Sequence, residues 1–80
     1  MSYHLNKIPK GIIGEFSKVE EEFNELKDGV FQNDKILIIC ELTDLLGAIE
    51  EYAKKFGLTL EDLIKFSNKT KKAFKEGSRK

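Results

Sequence analysis

This 80-residue chain contains two pairs of acidic residues that are suited to binding a metal ion, and the two members of each pair lie three positions apart. Glu22 and Glu25 form the first pair, and Glu41 and Asp44 form the second. On a helix, this spacing places both carboxylates on neighbouring turns of one face, where they can contact one hard cation or flank two. Carboxylate oxygens are the ligands that Mg²⁺ prefers, and Mn²⁺ is an alternative. The two pairs therefore predict a divalent-metal site.

The same acids also have a structural interpretation. The first pair belongs to a stretch of four acids within residues 20–25, and such a stretch can be an ordinary solvent-exposed helix face. The second pair interrupts the apolar run ILIICELTDLLGAI, where apolar side chains would pack better. A purely structural role for the second pair would need buried cationic partners, such as Lys55 or Arg79.

The first predicted helix carries Glu22 and Glu25. It runs from about Gly14 to Asp28, because apolar residues recur at steps of three and four and Gly29 supplies a C-terminal stop. The residues of this apolar stripe are Ile12, Phe16, Val19, Phe23 and Leu26. The carboxylates lie beside the stripe, so we expect them at the edge of the core.

The second predicted helix carries Glu41 and Asp44. It runs from an N-cap at Asp34 to Phe56, and Gly57 terminates it in the left-handed conformation. Its two apolar stripes consist of Ile38, Leu42, Leu45, Ile49, Tyr52 and Phe56, and of Ile39, Leu46 and Ala53. One short partner helix does not cover both stripes, so we expect this helix to pack against another subunit as well.

The third predicted helix begins at Thr59, which forms a capping-box-like pair with Asp62. Its expected inward-facing residues are Leu60, Leu63, Ile64, Ser67, Thr70 and Phe74. No useful length of chain alternates with the period of a strand, so the predicted class is all-α, with a three-helix protomer in a shared helical bundle. Residues 1–10 form an N-terminal arm that can pack on a neighbour in an oligomer, and residues 11–80 form the helical domain.

The size of the chain and its cysteine content bear on assembly and compartment. A monomer of this length buries only about 60–65% of its unfolded surface, so we expect a dimer or tetramer. Cys40 is the single cysteine, which excludes an intrachain disulfide, and we expect it to fill the core. His4 lies in the arm, and neither residue indicates a zinc site. The absence of a signal-peptide-like start and of a long apolar run predicts a cytoplasmic protein with no membrane partner.

The formal net charge of the chain is zero, but its charged residues are unevenly distributed along the sequence. Residues 1–64 carry seven Lys and thirteen Asp or Glu, whereas residues 65–80 carry six Lys, one Arg and one Glu. A basic end of this kind is either a solvated face or a tail that contacts a partner. The acidic body argues against a nucleic-acid partner, because it would repel a phosphate backbone.

The order of these features resembles MazG-like nucleoside triphosphate pyrophosphohydrolases. The resemblance is carried by EExxEL at residues 21–26 and ExxD at residues 41–44, with fifteen residues between Glu25 and Glu41. It continues through LTDLLGAIEEYAKKFGLTLEDL and the basic end KFSNKTKKAFKEGSRK, and is nearest to the small phage and bacterial forms. It implies a helical oligomer that uses Mg²⁺ to cleave a nucleoside triphosphate between the α- and β-phosphates.

The resemblance also implies roles for individual residues. The metal ligands and catalytic groups would be Glu22, Glu25, Glu41 and Asp44. The substrate-binding residues would be Lys18, Asn68, Lys71, Lys72 and Arg79. Lys69 competes with its neighbours for the basic role, and Glu25 is our choice for the group that orients and deprotonates the attacking water.

A hypothesis from a different class remains open. The chain can also be a non-catalytic helical interaction or regulatory protein, such as a small assembly factor. In that case its basic C-terminal tail would contact nucleic acid or an acidic partner, and the four acids would be structural.

Overall fold

The structure, a computed structural model, describes residues 4–75 of the chain. Three α-helices follow one another: α1 at Phe16–Phe31, α2 at Lys35–Ala53 and α3 at Leu60–Lys75, with a short 3-10 helix at Lys54–Phe56 after α2. Within the described residues there is no β-strand, which confirms the predicted all-α class. None of the helices in this part of the chain has the length and apolar character needed to cross a bilayer.

α1 begins and ends later in the sequence than predicted, at Phe16 and Phe31. Gly29, which we expected to stop the helix, lies inside it and is buried. A Cβ atom at Gly29 would lie 3.4 Å from Leu37 Cγ, an ordinary van der Waals contact, so Gly29 lies where α1 packs against α2. The turn instead uses Asn33, whose φ of 56° is left-handed.

The turns that bound α2 and α3 confirm the prediction. Asp34 caps α2 by accepting a hydrogen bond from the Leu37 N–H at 3.1 Å. After the 3-10 helix, Gly57 adopts the expected left-handed conformation, with φ at 73°. The Asp62 N–H donates to the Thr59 hydroxyl at 3.1 Å, and the Thr59 N–H donates to the Asp62 carboxylate at 2.9 Å, which completes the capping box.

α1 and α2 pack together as a helical hairpin, and α3 is not part of it. α3 makes no comparable contact with either helix, and none of its residues is buried. We expected its apolar residues to face inward, and within this single chain that prediction is wrong. Ile64 and Phe74 are each 51% exposed. Residues 4–75 therefore leave the apolar side of α3 largely exposed.

The apolar core of the chain is small. Its buried apolar residues are Leu37, Ala48 and Ala53. Large apolar residues of the hairpin that are at least half exposed include Phe16, Phe23, Phe31, Ile36, Ile39, Leu42 and Leu46. Cys40, which we expected to fill the core, is also exposed. These side chains lie on the helices as predicted, but the described part of the chain does not bury them.

Candidate metal centre

Four acidic side chains meet where α1 and α2 face each other. Glu22 and Glu25 come from α1, and Glu41 and Asp44 come from α2. Each offers one carboxylate oxygen, and these oxygens all lie within 4.8 Å of one another. Because each pair lies on one face of its helix, packing of the hairpin brings the two pairs together. We call these residues the four-acid cluster, and they are the four ligands predicted from the sequence.

The four-acid cluster extends from the interior to an open surface. Glu22 and Glu41 are buried, at 5% and 6% exposure, whereas Glu25 is half-buried and Asp44 is exposed. Asp44 borders an open cavity of about 450 Å³, which is also lined by Lys18 and Glu22. A ligand can therefore reach the cluster from the side of Asp44.

The four-acid cluster carries more negative charge than its surroundings neutralise. Burial raises the pKa of Glu22, and the neighbouring Glu25 raises it further, while Lys18 opposes the shift only in part. Burial also raises the pKa of Glu25, and Glu41 adds to the effect. The charged forms are disfavoured because the groups are partly desolvated and face other carboxylates. A divalent cation would offset this repulsion.

One carboxylate oxygen of Glu41, Oε2, is buried without a hydrogen-bond partner in the described residues, and this bears on whether the cluster fits a cation. The His4 Nε2 atom lies 3.7 Å away, which is beyond hydrogen-bond distance. A buried carboxylate oxygen that accepts no hydrogen bond destabilises the fold. The cluster therefore fits a hard cation such as Mg²⁺ or Mn²⁺, because its donors are all oxygen and one of them lacks a partner.

Lys18 lies at the four-acid cluster. Its Nζ atom is 3.0 Å from the Glu22 carboxylate and 3.1 Å from the Glu21 carboxylate. The hydrogen bond to Glu22 raises the pKa of Lys18, so the ammonium group stays charged. Lys18 is the predicted substrate-binding residue that the described chain brings to the acids.

Three other predicted substrate-binding residues do not meet the acids within the described part of the chain. Those on α3 are Asn68, Lys71 and Lys72. They are exposed, and α3 does not pack against the helices that carry the acids. Arg79 lies outside the described residues. Lys55, which we considered as a buried cationic partner for the second acidic pair, is paired with Glu15 instead.

A second group of buried contacts, at Asp28, was not predicted from the sequence. The Asp28 side chain is 2% exposed. Its carboxylate accepts hydrogen bonds from His4 Nδ1, the Leu5 N–H and Gln32 Nε2, each at 2.9 Å, and from Asn6 Nδ2 at 2.8 Å. Burial raises the pKa of Asp28, but these hydrogen bonds outweigh burial and leave the pKa below its usual value.

The contacts at Asp28 dock the N-terminal arm on its own chain. A further contact follows directly after the arm, where the Gly11 N–H donates to the Glu21 carboxylate at 2.7 Å. Asp28 continues the three-residue spacing of Glu22 and Glu25, so a signal for it was present in the sequence. The arm offered no such signal, because its contacts follow no helical or strand period.

Comparison of the chain with protein-family models, with curated proteins and with solved structures finds no significant match. The resemblance to MazG-like enzymes therefore depends on the acidic pairs, their spacing and the basic end. Function has to be inferred from the side chains that the hairpin brings together.

Proposed function

We propose that the protein is a Mg²⁺-dependent nucleoside triphosphate pyrophosphohydrolase, which converts an NTP or dNTP to the nucleoside monophosphate and pyrophosphate. The observation that carries the proposal is the four-acid cluster, whose oxygens lie within 4.8 Å of one another on two facing helices. The raised pKa values of Glu22 and Glu25 and the unpartnered Glu41 oxygen support it, because a cation relieves both. The resemblance described above supplies the reaction type, and we place the reaction in the cytoplasm.

The residues of the four-acid cluster divide the work of this reaction. When bound, Mg²⁺ or Mn²⁺ neutralises the triphosphate and acts as a Lewis acid on the phosphoryl group under attack. Glu22 and Glu41 hold the cation from the buried side, and Asp44 holds it at the open edge. Glu25 orients the attacking water and accepts its proton. The water oxygen bonds to the phosphorus under attack as the bond between the α- and β-phosphates breaks, and the nucleoside monophosphate and pyrophosphate are the products.

Positive charge for the phosphates comes from two places in this proposal. Lys18 lies beside Glu22, so a small movement of its side chain takes its ammonium group to an entering phosphate. The basic residues of α3 reach the cluster from a neighbouring copy of the chain, as in a bundle shared between subunits. Lys71 and Lys72 are the basic residues of α3 in this group. Asn68 adds an uncharged hydrogen-bond donor, and Arg79, which lies beyond α3, adds a guanidinium group in this proposal.

The exposed apolar side chains support an oligomer. Phe31 and Ile36, at the turn of the hairpin, are 77% and 76% exposed, and Ile39 and Leu46 on α2 are 54% and 50% exposed. Covering such side chains removes apolar surface from water and stabilises a dimer or tetramer. We expect light scattering to give a multiple of the 9.2 kDa chain mass. A uniform monomer at micromolar concentration would contradict the shared bundle.

A screen of the common NTPs and dNTPs with Mg²⁺ tests the activity. Added pyrophosphatase converts released pyrophosphate to phosphate, and chromatography identifies the nucleotide product. Formation of the monophosphate together with pyrophosphate identifies cleavage between the α- and β-phosphates, whereas a diphosphate product would identify a different hydrolase. We expect the monophosphate from at least one nucleotide and none when EDTA is present. No product from any nucleotide would contradict the proposal.

A second candidate function, that of a non-catalytic helical interaction or regulatory protein, is favoured by α3. This helix is amphipathic and does not pack on the hairpin, and its exposed side carries the lysines Lys65, Lys69, Lys71, Lys72 and Lys75. Such a surface suits an acidic partner. This function needs no cation, so it predicts that Mg²⁺ leaves the melting temperature unchanged.

A further inference from the structure

His4 lies beside the four-acid cluster, in a position that the proposed reaction does not use. Its side chain is 12% exposed and lies between Asp28 of α1 and Glu41 of α2. The Nδ1 atom is 2.9 Å from Asp28 Oδ2, and the Nε2 atom is 3.7 Å from Glu41 Oε2. An ionised carboxylate only accepts hydrogen bonds, so Nδ1 carries the proton and donates it to Asp28. A neutral imidazole then has its lone pair on Nε2, on the side of Glu41.

The pairing of His4 with Asp28 matches the surroundings of a metal-bound histidine. A histidine that binds a metal through one ring nitrogen usually donates its other ring N–H to a carboxylate or carbonyl, which fixes its tautomer and its orientation. Asp28 is itself held in place by hydrogen bonds from the Leu5 N–H, Asn6 and Gln32. The imidazole is therefore oriented before any ligand arrives.

The atoms that face Nε2 are suitable partners in a metal site. Glu41 Oε2 is buried without a hydrogen-bond partner in the described part of the chain. Two donor atoms that each lie about 2.1 Å from one ion are roughly 3.0–3.4 Å apart when the angle between them is about 90–110°. The observed 3.7 Å between Nε2 and Oε2 is close to this separation. His4, Glu25 and Glu41 each offer a ligand atom, and these atoms lie within 4.8 Å of one another.

We propose that His4 Nε2, Glu25 and Glu41 form a second metal position next to the four-acid cluster, which selects a divalent transition metal over Mg²⁺. Imidazole nitrogen is a good ligand for Co²⁺, Ni²⁺ and Zn²⁺, whereas Mg²⁺ prefers oxygen ligands. A cavity of about 390 Å³ beneath the arm is bordered by His4 and Glu25, so an ion can enter from that side. This inference adds a second metal position to the proposed function, and it rests on that function because both use Glu25 and Glu41.

Titration of the untagged, metal-free chain with Co²⁺ and with Mg²⁺ tests this position. Calorimetry gives both affinities, and the visible absorption of Co²⁺ reports its ligands. We expect His4→Ala to weaken Co²⁺ binding about 10- to 100-fold, which is the typical loss of affinity when a group that supports a metal site is removed. The affinity for Mg²⁺ should stay nearly unchanged. Asn6→Ala is the matched control, because it removes another hydrogen bond to Asp28, of 2.8 Å, and keeps the imidazole.

The outcomes of this titration test the metal position separately from the proposed function. Equal Co²⁺ affinity in wild type and His4→Ala, or equal losses in His4→Ala and Asn6→Ala, would show that His4 only docks the arm, and would overturn the inference. If the wild type binds Co²⁺ through His4 but hydrolyses no nucleotide, the proposed function is wrong and the metal position stands. A wild type that binds neither ion contradicts both proposals.

A second measurement needs no variant, and so does not depend on the folding of His4→Ala. His4 is the single histidine of the chain, so its imidazole signals in a proton NMR spectrum have one possible assignment. We expect saturating Co²⁺ to shift these signals strongly, because a paramagnetic ion would be bound to the ring. Unshifted imidazole signals at saturation would overturn the inference.

Discussion

Two sets of buried or half-buried acids occur on α1, and they differ in what surrounds them. Glu21 and Asp28, which we call the arm-docking acids, face hydrogen-bond donors of the arm and of nearby side chains. Glu22 and Glu25 face other carboxylates, with Lys18 as a cationic neighbour of Glu22. All four acids lie on α1, between residues 21 and 28. The donors around an acid, more than its burial, therefore decide whether it serves as structure or as a candidate ligand.

The pKa values follow this difference. Burial raises the pKa of Glu21, yet the hydrogen bond from the Gly11 N–H and the nearby Lys18 outweigh it, and the net shift is downward. Asp28 behaves in the same way, with donors that outweigh burial. For Glu22, burial and a neighbouring acid act in the same direction, and the net shift is upward. The surroundings of the arm-docking acids thus favour their ionised forms, whereas the surroundings of Glu22 and Glu25 disfavour theirs.

The largest effect should come from neutralising the acids that α2 contributes. We expect Glu41→Gln and Asp44→Asn each to reduce pyrophosphohydrolase activity by at least about 100-fold. Loss of a metal ligand removes several kcal/mol of transition-state stabilisation, and each ~1.4 kcal/mol is a factor of ten in rate. Helix content and oligomer mass should stay the same. Product analysis, circular dichroism and light scattering measure these three properties.

Glu20→Gln is the matched control for these variants, because Glu20 is exposed on α1 and takes no part in the four-acid cluster. We expect it to change the rate by less than about threefold. If Glu20→Gln reduces activity as much as Glu41→Gln does, or if Glu41→Gln unfolds the protein, the acids are structural.

A smaller effect, on stability, should follow from Asp28→Asn. The amide would place an NH₂ group where one carboxylate oxygen now accepts hydrogen bonds, so one or more donors from His4, Leu5 and Gln32 would lose their acceptor. The lowered pKa of Asp28 contributes stability above its unfolded pKa, and this stability is lost as pH falls through the folded pKa. Asp28→Asn should therefore destabilise the protein at neutral pH and have little effect in strong acid. Urea unfolding at several pH values measures both, and an equal loss at every pH would contradict this account.

The smallest effect, of opposite sign, should follow from Glu22→Gln in the metal-free protein. Because the pKa of Glu22 is raised in the fold, its contribution to stability is complete below the unfolded pKa and is lost as pH rises through the folded pKa. Removing the charge should therefore raise stability slightly at neutral pH and leave it unchanged in acid. Urea unfolding in the presence of a chelator measures the change. A clear loss of stability at neutral pH would mean that the ion pair with Lys18 outweighs the repulsion.

The parts of the fold that the sequence predicted well are set by local chemistry. Asp34 caps α2 and Thr59 caps α3 with atoms three residues away, and Gly57 needs only its own left-handed φ. Gly29 misled the prediction because α1 continues through it, and the left-handed residue that follows the helix is Asn33. The prediction that the apolar face of α3 lies inward was also wrong for the single chain. A periodic pattern identifies an apolar face, but it does not specify which chain covers that face.

The same distinction applies to the candidate site. The members of the four-acid cluster were predictable, because i,i+3 spacing on two consecutive helices is a local pattern. The contact between His4 and Asp28 joins residues 24 positions apart, and nothing in the arm repeats with a helical or strand period. Asn68 and Lys72 depended on family resemblance alone, and the single chain leaves them away from the acids.

The central claim is that the four-acid cluster binds a divalent cation, and the Mg²⁺ dependence of thermal unfolding tests it most directly. At ten times the Kd, Mg²⁺ should stabilise the folded form by about 1.4 kcal/mol. For a domain of this size, this gain raises Tm by roughly 6–11 °C. The measurement compares wild type with the Glu41→Gln, Asp44→Asn double variant, without nucleotide. We predict a rise in Tm for wild type and none for the double variant; an unchanged wild-type Tm, or an equal rise in both proteins, would contradict the claim.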